Sequence, residues 1–315
     1  MVSRPSTHIA PPGHALLAVA FALSCIGPGA ARAQSLEPRA YSNSPVGTNF
    51  LLVGVAYSQG DVSLDPSLPI QDANAKVYSS FVGYARTLDL WGKSGQIGLL
   101  VPAGRVDANG QVEGQPASVS RGGFGDPALR LTVNLYGAPA LSPEKFAAYR
   151  QDTIVGVSLL VTAPWGQYYP DKLLNIGSNR WSFRPEVGVS KALGNWIVEG
   201  AAGAAFFSTN DEFYPGASTR EQDPLYSLQG HVIYNFREGM WAAVDATYYT
   251  GGRTTVNGVL KNDLQQNARW GGTFALPIDR RHSVKVFFTS GVVTRTGTDF
   301  TTVGAAWQYR WGAGM

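Results

Sequence analysis

The sequence predicts an all-β chain: a transmembrane antiparallel β-barrel of about twelve strands that follows a cleaved signal peptide. Three observations predict it. Several segments alternate with period two and keep their charges on one face. Long and short gaps between the segments alternate along the chain, as external loops and periplasmic turns do. The chain is also charge-poor, with 15% Asp, Glu, Lys and Arg against about 25% in typical soluble domains. After residue 33 no apolar stretch is long enough for a membrane helix. An exported chain of this kind enters a membrane only as a closed barrel, because every backbone polar group inside lipid must be paired.

The N-terminus reads as an export signal. Arg4 gives a basic start, Ala15 to Ile26 is an apolar run, Gly27-Pro28-Gly29 breaks it, and Ala31-Arg32-Ala33 is a small-x-small cleavage site. Cleavage is expected before Gln34, which divides the chain into a signal peptide at 1–33 and a single barrel domain at 34–315. Cys25 is a poor lipoprotein cysteine, since Ala22-Leu23-Ser24 does not suit that motif. Cleavage would remove the only cysteine, and with it any disulfide or thiolate metal site. It would also remove Arg4 and Arg32, leaving 23 basic and 22 acidic residues. A net charge of +1 gives no basic surface for nucleic acid.

The first strands are expected near Thr48, Lys76 and Gln96, with ambiguous phase around Val77–Ala85 because small residues occupy both faces. The fourth is clean: Leu129, Leu131, Val133 and Leu135 oppose Arg130, Thr132, Asn134 and Tyr136. The fifth begins near Thr153. The sixth sets Trp181, Phe183, Pro185, Val187 and Val189 against Ser182, Arg184, Glu186, Gly188 and Ser190. Pro185 lacks a ladder donor, so a bulge or strand end is expected there. The seventh begins near Asn195. The eighth sets Tyr226, Leu228, Gly230, Val232 and Tyr234 against Ser227, Gln229, His231, Ile233 and Asn235. The next three begin near Trp241, Ala268 and Ser283. The last, Thr302–Trp311, puts Val303, Ala305, Trp307, Tyr309 and Trp311 toward lipid and Thr302, Gly304, Ala306, Gln308 and Arg310 inward. Its Thr302, Gly304, Trp307 and Tyr309 resemble the C-terminal signal read by the outer-membrane assembly machinery, although six residues follow Tyr309. It is expected to pair with the strand near Thr48 and close the sheet. Each strand is expected to run about 9–12 residues, the length of a tilted membrane strand.

The gaps at Gln59–Ala75, Gly104–Gly125, Pro164–Asn179, Ser208–Gln222 and Thr250–Gln266 read as long external loops. Those at Thr87–Gly95, Ala192–Gly194, Arg237–Gly239 and Pro277–His282 read as short turns. Two depart from the pattern: Thr294–Asp299 is a short external loop, and Gly137–Gln151 is long on the short side, with a small helix expected after Ser142. Gln34–Val46 is either a periplasmic lead or a lumen insert. A soluble β-sandwich or propeller is the alternative fold, because alternation by itself does not identify lipid.

On the inward faces lie Arg130, Arg184, Glu186, Glu199, His231, Asp245, Arg269, Lys285 and Arg310, which are the lumen-lining candidates. Their mixed signs suit paired side chains and a narrow or partly plugged lumen rather than a selectivity ring. Phe124, Trp165, Tyr168, Tyr169, Phe213 and Tyr214 are loop aromatics that could meet an apolar ligand at the outer mouth or serve as girdle and loop packing. Ser227, His231 and Asp245 have the composition of a hydrolase triad, and equally that of a polar network that fixes register. His282 falls in a turn and reads as solvated. Asp61, Asp65 and Asp72 share one external loop and could hold calcium or be ordinary solvated acids; no recognised metal-ligand spacing and no cofactor motif occurs. Gly122-Gly123-Phe124-Gly125 reads as a flexible loop, with neither the helix nor the lysine of a phosphate cradle after it.

The chain resembles the outer-membrane protein family named for the meta-pathway of phenol degradation. The segments that carry the resemblance are Glu37-Pro38-Arg39-Ala40-Tyr41, Pro45-Val46-Gly47-Thr48-Asn49-Phe50, Gly125-Asp126-Pro127, Gly137-Ala138-Pro139-Ala140, Pro164-Trp165-Gly166-Gln167-Tyr168, Asn175-Ile176-Gly177-Ser178-Asn179-Arg180-Trp181, Pro185-Glu186-Val187-Gly188 and Gly251-Gly252-Arg253. The resemblance implies a transporter-like barrel and no agreed functional residues. The expected function is a channel or transporter in the bacterial outer membrane for small apolar or aromatic solutes, without enzymatic activity. Its partners would be membrane lipid, the assembly machinery and the solute, with oligomeric state open. The alternatives are an outer-membrane lipid hydrolase and a closed structural or sensory barrel.

Overall fold

A computed structural model describes residues 37–63, 70–112, 115–172, 174–214 and 216–313. The expected signal peptide, its cleavage site, Cys25 and Asp65 lie outside the described residues. Twelve antiparallel strands form a closed barrel. They are β1 Thr48–Ser63, β2 Ile70–Leu90, β3 Lys93–Val112, β4 Ala128–Tyr136, β5 Thr153–Thr162 and β6 Ser182–Leu193. Then follow β7 Trp196–Phe207, β8 Leu225–Arg237, β9 Met240–Gly251, β10 Gln265–Pro277, β11 His282–Thr294 and β12 Gly297–Gly312. Each strand pairs with its sequence neighbour, and β12 pairs with β1 from Thr48↔Gly312 to Ser63↔Gly297. Closure leaves no wall strand with an unpaired edge in the hydrocarbon. Among the described residues no helix is long and apolar enough to cross a membrane.

Burial is inverted relative to a soluble protein. Val55, Val82, Leu131, Val187, Leu228, Val244 and Val303 are exposed, while Arg130, Arg184, Glu186, Glu199, His231 and Asp245 are buried. An apolar belt of this extent is unfavourable in water and favourable in lipid. Aromatic side chains rim the belt at both ends. At the short-turn end His282, Trp307, Tyr309 and Trp311 stack in a row, with centroids 4.9 Å apart for His282–Tyr309 and 5.4 Å for Tyr309–Trp311. At the long-loop end Trp165, Trp181 and Phe183 follow one another at 6.3 Å. His282 is therefore part of the girdle, not a solvated turn residue: it opens β11 directly opposite Tyr309.

Several expected boundaries change. β1, β2 and β3 run 16, 21 and 20 residues, well beyond the expected strand length, because the gaps at Gln59–Ala75 and Gly104–Gly125 are largely strand rather than loop. Gln115–Phe124 pairs with the upper half of β3, so Gly122 to Phe124 is a strand end rather than a flexible loop. Above the lipid the strands need no apolar face, which is why the pattern fades while the ladder continues. The two later long loops hold short strands, Asn210–Phe213, Ser218–Gln222, Thr254–Val256 and Val259–Leu260, joined as one small sheet. Pro185 neither bulges nor ends β6: it pairs with Leu159, and on its other side the ladder to β7 skips Arg184 and Pro185 without changing register. Gly137–Gln151 carries the expected short helix, Pro143–Phe146, but Ser142 makes no side-chain cap. Beyond Tyr309, Arg310 to Gly312 complete the seam with β1.

Candidate functional site

The lumen has two unlike walls. Inward positions on β1 to β3 include Phe50, Leu52, Phe81, Ala85 and Leu100, which cluster with Ala306 of β12 and carry no charge. Inward positions on β4 to β9 carry Arg130, Arg184, Glu186, Glu199, His231 and Asp245, all at most 6% exposed. Arg269, Lys285 and Arg310 continue the charged side on β10 to β12 and are also buried. All nine lumen candidates therefore point inward. They do not converge on one point: Arg269 donates to the Phe300 carbonyl at 2.5 Å and Arg310 to the Arg280 carbonyl at 2.6 Å, away from the central group.

The central group is organised by residues that alternation could not reveal. The segment Glu37 to Val46, just before β1, lies inside the barrel at its short-turn end, with Glu37, Arg39, Tyr41, Asn43 and Ser44 all buried. Glu37 pairs with Arg130 and, at 3.2 Å, with Arg184. The Arg39 backbone N–H donates to Glu199 at 2.6 Å, while its guanidinium meets Asn235 and lies 4.9 Å from the Trp241 ring centroid. The Tyr41 hydroxyl donates to Glu186 at 2.9 Å. Its ring occupies space left open on the wall by Gly156 and Gly188, where an added Cβ would stand 2.3 Å and 2.1 Å from ring atoms. Glu186 also accepts from Gln229 at 3.1 Å and faces Arg130 at 3.6 Å, and Glu199 accepts from Ser190 at 2.8 Å. Glu37, Glu186 and Glu199 thus each meet an arginine or several donors, the condition for keeping a carboxylate in a low-dielectric interior. Of the two expectations for Gln34–Val46, the described part is a lumen insert.

A hydrolase triad does not assemble. His231 and Asp245 face each other across β8 and β9, with Nδ1 2.7 Å from Oδ1, and Thr273 donates to the other carboxylate oxygen at 3.2 Å. Ser227 lies four residues along the same strand, about 13 Å at 3.3 Å per residue. Its hydroxyl faces the Gly203 carbonyl at 3.5 Å. The pair His231–Asp245 is a cross-strand register contact in the polar wall.

The outer mouth is held by Asp126. Its buried carboxylate accepts from the Gly166 N–H at 2.8 Å, the Ser178 N–H at 2.9 Å and the Ser178 hydroxyl at 2.6 Å. Asn175 closes the same loop on itself through Tyr169 and Lys172. The loop then reaches across the lumen, where Ile176 packs on Ala75, Val77, Val106 and Phe300. Gly-Asp-Pro is therefore the anchor of a lumen-crossing loop, more than punctuation around β4. The loop aromatics make separate contacts. Phe124 and Trp165 are exposed, and Trp165 joins the girdle. Tyr168 bonds Asn210 and the Glu212 carbonyl, Tyr169 meets Gln167 and Arg121, Phe213 lies under Arg220, and Tyr214 is exposed. Asp61 and Asp72 accept from Asn74 and Gln111 respectively, at separate points on the first hairpin.

The model of the family described as "Putative MetA-pathway of phenol degradation" matches residues 58–311. The chain belongs to this family. Among solved structures, an outer membrane channel from Pseudomonas putida F1 is similar at 21% identity, covering 88% of this chain and 100% of that chain with a TM-score of 0.76. The beta domain of the Bordetella autotransporter BrkA follows at 12% identity, covering 84% of this chain and 100% of that chain with a TM-score of 0.49. No curated protein matches. Fold, belt and family together make this member an outer-membrane β-barrel.

Proposed function

We propose that the barrel passes small apolar or aromatic solutes across the outer membrane, and that it opens when Glu37–Val46 leaves the lumen. One observation carries this reading: the lumen is occluded by a segment outside the β-ladder. Its ties to the barrel run largely through side chains, and its few backbone bonds include Val46 to Leu141 and Arg39 to Glu199. Such a segment can withdraw without breaking the wall, whereas strand ladders cannot. The uncharged inner face of β1 to β3 supports an apolar cargo, since a hydrated polar solute gains nothing there. The link between the family and phenol degradation supports an aromatic one.

The test is uptake into liposomes by the full protein and by a variant lacking Glu37–Ser44. Toluene should enter both, and faster through the shortened barrel. Absence of toluene uptake in either would overturn the proposal. If the shortened barrel conducts ions while toluene stays out, a channel for hydrophilic solutes replaces it.

A further inference from the structure

The inner segment presents two chemical groups to the charged wall. Glu37 offers a carboxylate to Arg130 and Arg184, both 3% exposed. Four residues later Tyr41 offers a phenol, its ring in the space above Gly156 and Gly188 and its hydroxyl on Glu186. The two positions are adjacent, because Arg130 faces both Glu37 and Glu186. A small cavity beside them is bordered by Glu37, Tyr41, Glu186, Gln229 and His231.

From this geometry we propose that Arg130, Arg184 and Glu186, with the glycine-floored slot between them, form a binding site for hydroxylated aromatic carboxylates. Glu37 and Tyr41 fill that site in the closed barrel. The proposal deepens the uptake reading and rests on it for its physiological meaning. Withdrawal of the segment leaves two buried guanidiniums facing one wall carboxylate, an unfavourable arrangement in a water-poor lumen. The Nε of Arg130 makes no hydrogen bond among the described residues even with Glu37 in place, so the site has donor capacity to spare. An incoming carboxylate restores the lost charge-assisted bonds, and planar guanidiniums favour it over a neutral group. A ring replaces a ring above the glycines, and a phenolic hydroxyl replaces that of Tyr41 on Glu186. The exchange is of like for like, so the solute opens the barrel by competing with the segment for one site. No bond is made or broken; one carboxylate and one phenol displace another.

The test is equilibrium binding of 4-hydroxybenzoate and of neutral 4-hydroxybenzamide to the full protein in detergent, with toluene uptake followed alongside. Glu37→Gln weakens the internal competitor and should tighten 4-hydroxybenzoate by about tenfold or more, the amide gaining by a like factor but remaining the weaker ligand because it brings no charge to the two guanidiniums. Tyr41→Ala empties the ring slot and should tighten both ligands, which guards against a Glu37→Gln protein that does not fold. No gain for the acid in Glu37→Gln, an amide that binds as tightly as the acid, or no gain for either ligand in Tyr41→Ala, overturns the site. If the site fails while toluene still enters, the uptake reading survives; if toluene is excluded and Glu37→Gln still tightens the acid, the site stands and the uptake reading falls.

Discussion

The inner faces of β1–β3 and β4–β9 share one barrel and one lipid belt, yet they are built in opposite ways. The first is uncharged, with Phe50, Leu52, Phe81 and Leu100 at most 3% exposed. The second buries four or more charges at similar depth and balances them with a segment from outside the wall. An apolar wall needs only shape, whereas a charged wall needs partners, and that need is what seats the occluding segment.

The contrast can be broken by substitution. Arg184→Met leaves Glu37 and Glu186 short of a counter-charge and should cost about 3–5 kcal/mol, read as earlier urea unfolding in detergent. Val244→Arg, on the lipid face of the charged wall, should cost about 2–4 kcal/mol by the same measurement, depending on depth. On the apolar wall Phe81→Leu, a change of shape alone, should cost less than about 1.5 kcal/mol. A loss there as large as for Arg184→Met would erase the distinction between the walls. Gly188→Ala places a Cβ 2.1 Å from the Tyr41 ring, so it should unseat the segment and raise ion conductance. The smallest effect belongs to Asp279, in the turn between β10 and β11, outside both walls. The backbone N–H of Arg281, then that of His282, holds its carboxyl below the usual carboxylate range. Its folded value is depressed, so its contribution is present above about pH 4, the unfolded value, and fades as pH falls through the folded one. Protection of the Arg281 and His282 amides from hydrogen exchange, relative to the intrinsic rate at each pH, should therefore fall in acid, and Asp279→Asn should remove that dependence.

The same contrast governs what the sequence shows. On β4, β6 and β8 one face meets lipid and the other buried charge, so Arg130, Arg184, Glu186 and His231 stand out against Leu131, Val187 and Val232. On β2 both faces are apolar or small: Val77, Phe81 and Ala85 point inward while Val82 and Tyr84 point outward, and the period vanishes into the ambiguity at Val77–Ala85. The occluding segment has no period at all. Glu37 meets Arg130 and Arg184 at separations of 93 and 147 residues, which no local pattern encodes. Asp126 is hidden differently, since a turn-forming Gly-Asp-Pro has a local explanation that conceals its contacts with Gly166 and Ser178. Ser227, His231 and Asp245 share a face, but only the cross-strand pair could touch, because neighbours on one face of a strand are already about 7 Å apart.

The seam between β1 and β12 imposes an order on assembly. It joins the two ends of the domain, so it is the pairing with the greatest loop-closure cost and the barrel cannot shut until the last strand is in hand. Glu37–Val46 is continuous with β1, while its anchors sit on β4, β6, β7 and β8. The segment therefore either docks against a curved, still-open sheet or threads through the short-turn opening of a finished one. In the first case the occluding segment also acts as a template, holding the first strand near the place where the last must meet it.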